Sequence, residues 1–229
     1  MRSIIQTPAN DLKSSLEFYT KLNFKVISEK EPAVVSDGKA FLEITTDKFT
    51  RAGIKLLSPN WEKIAAELQA LTSVVKIENG YLLSEPSGMW IYLIETTDTY
   101  DFKSEESSTS VLGNYAGISL ETVGDDLSLN ILIKLGFKQV GGDTNQGWIT
   151  VQNDDDLGIT VMKPNMCPHL FTNPSLTYFN GGNNEQVIES IRDLNIPITE
   201  EITHFNKEGI VDNVIIKDPG GFGFFIFND

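Results

Sequence analysis

The chain has 229 residues, enough for two domains of about 100 residues, each with a core of its own and no need of a disulfide or metal staple. Eighteen Lys and Arg stand against 32 Asp and Glu, a formal charge of −14 that repels polyphosphate and anionic lipid and argues against nucleic-acid partners. The single Cys167 rules out an intrachain disulfide, no apolar run reaches the roughly 18 residues of a membrane span, and residues 1–8 lack a secretory leader's apolar stretch, so a cytoplasmic protein with no membrane partner is expected.

In the first unit, residues 3–9 read as a strand and 11–22 as a helix, capped by Asn10 or Asp11 and carrying Leu12, Leu16, Tyr19 and Leu22 as its apolar stripe. Strands follow at 24–29, 33–36 and 40–45, the last two joined by an Asp37-Gly38 turn. A second unit repeats the order: strand 52–57, helix 61–71 with Ile64, Leu68 and Leu71 on one side, and strands 74–78, 81–84 and 90–95. Residues 96–110 are rich in Ser, Thr, Asp and Glu and poor in large aliphatics, which places a domain boundary there. The resulting division is a domain over 1–97, a linker over 98–111 and a domain over 112–229.

The third unit comprises strand 115–121, helix 125–135 and strands 137–140, 147–152 and 158–162. A fourth runs through strand 175–179, helix 184–194 and strands 198–203, 210–217 and 223–227. Segments echo one another: Ser15-Leu16-Glu17-Phe18-Tyr19-Thr20-Lys21-Leu22-Asn23-Phe24 returns as Ser128-Leu129-Asn130-Ile131-Leu132-Ile133-Lys134-Leu135-Gly136-Phe137. Likewise Glu85-Pro86-Ser87-Gly88 returns as Asp218-Pro219-Gly220-Gly221, each ahead of an apolar strand. A unit of about 50 residues leaves an apolar face that only a neighbouring unit can cover. The expected fold is therefore α+β, with four βαβββ modules paired into two domains.

The helix segment from Asp11 to Leu22 followed by Phe24, the Asp218-Pro219-Gly220-Gly221 turn, and Arg51-Ala52-Gly53-Ile54 with Glu85-Pro86-Ser87-Gly88 resemble the vicinal oxygen chelate superfamily. That superfamily includes glyoxalase I, the extradiol dioxygenases, among them dihydroxybiphenyl dioxygenase, and the bleomycin-resistance binding proteins. The resemblance implies glyoxalase-like domains in which two modules curl into a half-open barrel, with a ligand held by the concave sheet. In the metalloenzymes of the family, four ligands from the first and fourth strands of the paired modules hold a divalent ion.

Aligned on the helix segment, those positions fall at Ile4 (or Gln6, if the register slips by two), Glu43, Gly53 and Tyr92 in the first half, and at Gly117, Thr160, Ser175 and Phe225 in the second. One plausible ligand in four argues against the usual metal, since zinc sites use about three protein ligands. No cofactor is therefore expected, with a divalent metal as the alternative.

Alternation along the strands then puts Trp90, Tyr92 and Ile94 on one face, and Phe225 and Phe227 on another, giving an apolar, aromatic lining unless the rings simply fill the barrel. Glu43, sharing its face with Phe41, is expected to act as a base or hold a ligand donor, its pKa raised by an apolar pocket. Tyr92 is expected to orient a ligand or donate a proton, and Gln6, Phe41, Trp90, Ile94, Phe225 and Phe227 to line the site.

His169 and His204 miss the family positions, Cys167-Pro168-His169 reads as chance neighbours, and Asp154-Asp155-Asp156 reads as a solvated turn. The expectation is a protein that binds a small hydrophobic or aromatic molecule, nearest to the bleomycin-resistance type, with a lyase, isomerase or dioxygenase as the alternative. An internal pseudo-dimer, with a possible homodimer beyond it, completes this reading.

Overall fold

A computed structural model describes residues 1–97 and 103–228. The first half contains β1 (Arg2–Pro8), α1 (Leu12–Lys21), β2 (Lys25–Ser28), β3 (Ala33–Ser36), β4 (Phe41–Thr45), β5 (Gly53–Ser58), α2 (Glu62–Leu68), β6 (Val74–Ile77), β7 (Gly80–Ser84) and β8 (Trp90–Glu95). The second half repeats it with β9 (Tyr115–Glu121), α3 (Asp125–Lys134), β10 (Lys138–Asp143), β11 (Trp148–Gln152), β12 (Gly158–Met162), β13 (Ser175–Phe179), α4 (Asn184–Asp193), β14 (Ile198–Ile202), β15 (Asn213–Lys217) and β16 (Gly223–Phe227). All four βαβββ modules are present.

Local chemistry explains the boundaries. Asp11, in extended backbone, accepts the Ser14 N–H and starts α1, while Asn23 at φ 63° turns the chain out of it. Gly136 at φ 95° does the same after α3, so the repeated helix segment includes its own exit. The eleven residues expected for α2 shorten to seven, because Leu71 N–H turns back to the Leu68 carbonyl in a tighter loop. β10 runs past the expected strand end at residue 140, through Gly141 and Gly142 to Asp143, by a register shift between Gln139 and Gly141.

Each half forms one eight-stranded sheet, in the orders β2-β3-β4-β1-β5-β8-β7-β6 and β10-β11-β12-β9-β13-β16-β15-β14. At the centre the first strands of the two modules pair antiparallel, β1 with β5 and β9 with β13. Each also lies parallel to the fourth strand of its own module. One sheet face packs on the helices. Ile5, Leu42, Ile54, Leu56, Ile91 and Leu93 bury there with Tyr19, Leu22 and Leu68 of the helices, leaving the alternate side chains to the concave face. No helix among the described residues is long and apolar enough to cross a membrane.

The two sheets are joined by a device repeated in every module. The turn between the third and fourth strands carries a buried Asp, Glu or Asn that holds its own backbone and reaches into the other half. Asp37 accepts the Ala40 N–H and the Tyr178 hydroxyl (2.8 Å), and Glu85 accepts the Met89 N–H and the Ser128 hydroxyl. Asn153 accepts the Leu157 N–H and donates to Ser3 Oγ (2.6 Å), and Asp218 accepts the Phe222 N–H with the Thr7 (2.8 Å) and Tyr19 (2.9 Å) hydroxyls. Asp155 is not a solvated turn residue either: it pairs with Arg2 (2.7 Å) and accepts the Ser3 N–H. Of the expected linker, residues 98–102 lie outside those described, and the rest is tied to the first half through Glu105 N–H to Gly38 O and Val111 N–H to Leu22 O.

Candidate functional site

Strand register arranges the concave face of the first sheet in two rows. One runs Val34, Glu43, Gln6, Gly53, Trp90; the other runs Phe41, Ile4, Lys55, Tyr92, Leu82. Glu43 and Phe41 thus share the face expected of them, while Leu42 and Ile44 bury beneath α1. Glu43 and Gln6 are only 5% and 1% exposed.

The electrostatics differ from the apolar pocket anticipated from the sequence. Lys55, on the other row, donates from Nζ to Glu43 Oε1, so the buried carboxylate faces an ammonium whose side chain is 20% exposed. Lys55 escaped the sequence reading because family alignment singled out Gly53 and Tyr92 on either side of it. A lone Lys between Ile54 and Leu56 was the available signal, and only the cross-strand register says what it meets.

Around this pair, the Tyr92 hydroxyl accepts the Arg51 N–H (3.3 Å) and Gln6 Nε2 donates to the Arg51 carbonyl (3.0 Å). Trp90 and Tyr92 lie side by side with ring centroids 6.2 Å apart, and the Arg51 guanidinium sits 5.9 Å from the Trp90 ring. Ile94 continues their face, half-buried. Such a surface offers one ion pair, one phenol and two aromatic faces.

These residues do not fit a divalent ion. Glu43 is already engaged by a cation, the Tyr92 hydroxyl accepts a backbone N–H, and Ile4 is a hydrocarbon. At Gly53 a Cβ would lie 1.9 Å from the Trp90 carbonyl oxygen, so no ligating side chain fits there. No group of three or more His, Cys, Asp or Glu converges among the described residues.

The second concave face is different. Its centre carries hydroxyls in place of the ion pair: Ser119 with Thr177 (2.6 Å) and Thr150 with Thr160 (2.8 Å). Phe225 and Phe227 stand on this sheet, apart from Glu43, and are covered by residues of the segment between β12 and β13. His169 packs on both rings (5.2 and 5.1 Å) and Phe171 packs on Phe225 (4.8 Å). The sequence reading gave His169 no place in a site; the fold lays its ring against Phe225 and Phe227, through a loop whose path nothing local dictates. His204 lies in the turn after β14 beside Phe205.

Neither a protein-family model nor a curated protein sequence matches the chain. Solved structures do match its fold. The 2,3-dioxygenase LapB from Pseudomonas sp. KL28 is 17% identical with a TM-score of 0.54, covering 100% of this chain and 92% of the other. Homoprotocatechuate 2,3-dioxygenase from Arthrobacter globiformis is 16% identical with a TM-score of 0.55, covering 99% and 78%. A Mn(II)-bound glyoxalase from Novosphingobium aromaticivorans is 14% identical with a TM-score of 0.54, covering 97% and 79%. At such identities the likeness is one of fold, and activity has to be argued from the residues.

Proposed function

We propose that this chain, which has the vicinal oxygen chelate fold, binds a small hydrophobic or aromatic molecule on the concave face of its first sheet without a metal ion. The observation that carries the reading is the Glu43–Lys55 pair: at the one family position with a carboxylate, an ammonium of the chain itself supplies the positive charge. A planar ligand would lie against Trp90 and Tyr92, with Phe41 and Ile94 extending the apolar surface and Gln6 beneath. Burying about 200 Å² of apolar ligand surface contributes roughly 5 kcal/mol before ordering costs are subtracted.

Lys55 makes one hydrogen bond to Glu43 out of three N–H groups, so it retains donors for a polar group on the ligand. Should chemistry accompany binding, Glu43 is the base and Tyr92 the proton donor. Phe225 and Phe227 form a second apolar surface, on the other sheet, with His169 and Phe171 packed against it. The two halves act as an internal pseudo-dimer.

The competing reading, a metal-dependent lyase, isomerase or dioxygenase, draws its support from the catechol dioxygenases and the Mn(II)-bound glyoxalase among the structural neighbours. Elemental analysis of protein purified without added metal, combined with titration of a catechol and benzoate panel by tryptophan fluorescence, separates the two. The proposal expects no stoichiometric metal, binding insensitive to EDTA, and affinity about tenfold weaker in Trp90→Ala. Stoichiometric iron, manganese, zinc or nickel, with binding lost on chelation, overturns it.

A further inference from the structure

We propose that a cleft between the second sheet and the Asp37 turn of the first domain is a separate binding site, for a small, neutral, polyhydroxylated molecule of monosaccharide size. The cleft has a volume of about 470 Å³, within the usual range for small-molecule sites. Its floor is Thr150, Gln152 and Gly158 on β11 and β12, and Tyr115 and Lys39 bound it.

Comparison of the two halves shows why space exists here. Cross-strand register makes Gly158 and Gly117 the counterparts of Phe41 and Ile4, and Thr150 the counterpart of Val34. The bulk of Phe41 and Ile4 on the first concave face is thus absent from the second, while Thr150 keeps the size of Val34 and adds a hydroxyl. Gly117 is required by the backbone, at φ 130° with a Cβ position 2.7 Å from the Gly158 carbonyl oxygen. Gly158 is not: a Cβ there would meet only the Ala116 carbonyl oxygen at 3.5 Å, an ordinary contact. Glycine within a strand costs stability, and where packing does not demand it a closely approaching ligand is the remaining use.

The polar groups set the ligand class. Thr150 pairs with Thr160, and a hydroxyl in such a pair still has accepting capacity, while the Gln152 amide adds donors and an acceptor. The Tyr115 ring bounds the cleft, while its hydroxyl is buried behind the wall. Lys39 and Asp156 both line the cleft with opposite charge, so neither an anion nor a cation is favoured and a neutral polyol matches the lining.

Isothermal titration of the full chain with D-glucose, D-galactose, myo-inositol and D-sorbitol tests this, with catechol as the control for the first-domain site. At least one of the four polyols should bind in about the millimolar range or tighter. Gly158→Val, which fills the cleft, and Thr150→Val, which removes a floor hydroxyl, should each weaken it at least tenfold, with Thr150→Ser retaining it. Trp90→Ala should leave polyol binding unchanged, which separates this site from the one on the first sheet. The proposal is overturned if all four polyols fail to bind at about 10 mM, or if Gly158→Val binds them as wild type does.

Discussion

Glu43 and Lys55 show how little a residue's type reveals before its neighbours are known. A carboxylate buried on a concave sheet is costly alone and tolerable beside an ammonium, so the two positions are energetically one. Lys55→Met leaves Glu43 buried and unpaired and should destabilise the fold by about 3 kcal/mol. Glu43→Gln combined with Lys55→Met should recover most of that loss, giving a coupling energy well above zero in a urea-unfolding double-mutant cycle. Additive single effects would show that the pair is not formed in solution. His169 teaches the same lesson from the other half: its role as a cover for Phe225 and Phe227 comes from a loop that brings it across the sheet.

Among the elements, the turn that closes the fourth module is the most chemically loaded. Burial is the main cause raising the Asp218 carboxyl above its ordinary 3.8, opposed by the Thr7 hydroxyl, the Phe222 N–H and the Tyr19 hydroxyl. The same turn sits tight against β1, since a Cβ on Gly220 would lie 1.8 Å from the Pro8 carbonyl oxygen. A group whose folded pKa lies above its unfolded value holds its proton more firmly when folded. Its contribution is therefore full below the ordinary carboxylate value and is lost as pH rises through the raised one. Asp218→Asn can keep the Phe222 contact through its oxygen and donate to the two hydroxyls, while removing the titration. Chemical unfolding measured from about pH 4 upward should therefore lose less stability with rising pH in this variant than in wild type. A parallel dependence in the two proteins would assign the slope to other groups.

The whole molecule is held together by four turns that each reach across to the opposite half. Tyr178 to Asp37, Ser128 to Glu85, Asn153 to Ser3, and Thr7 with Tyr19 to Asp218 give an interface in which buried polar groups of each half are satisfied by the other. Pulling the halves apart would strip hydrogen bonds from buried groups on both sides, so a single cooperative transition is expected. In Trp148→Phe, the remaining tryptophans, Trp61 and Trp90, report only the first half. Their fluorescence midpoint in guanidinium should coincide with that of far-UV circular dichroism from the whole chain. Two separated midpoints would mean that the halves unfold independently.

The four modules, their order of elements and their pairing two by two were readable from the chain, because helix and strand periodicity and the repeated segments around Leu16, Leu129, Pro86 and Pro219 are local properties. The alternation that turns Glu43 and Phe41 to the concave face was readable for the same reason. What the sequence could not supply was which residues from different strands and loops meet: Lys55 on Glu43, His169 on Phe225, and the open floor at Gly158 beside its filled counterpart at Phe41. Those outcomes depend on register across strands 12 or more residues apart and on loop paths with no periodicity of their own, so only the folded chain decides them.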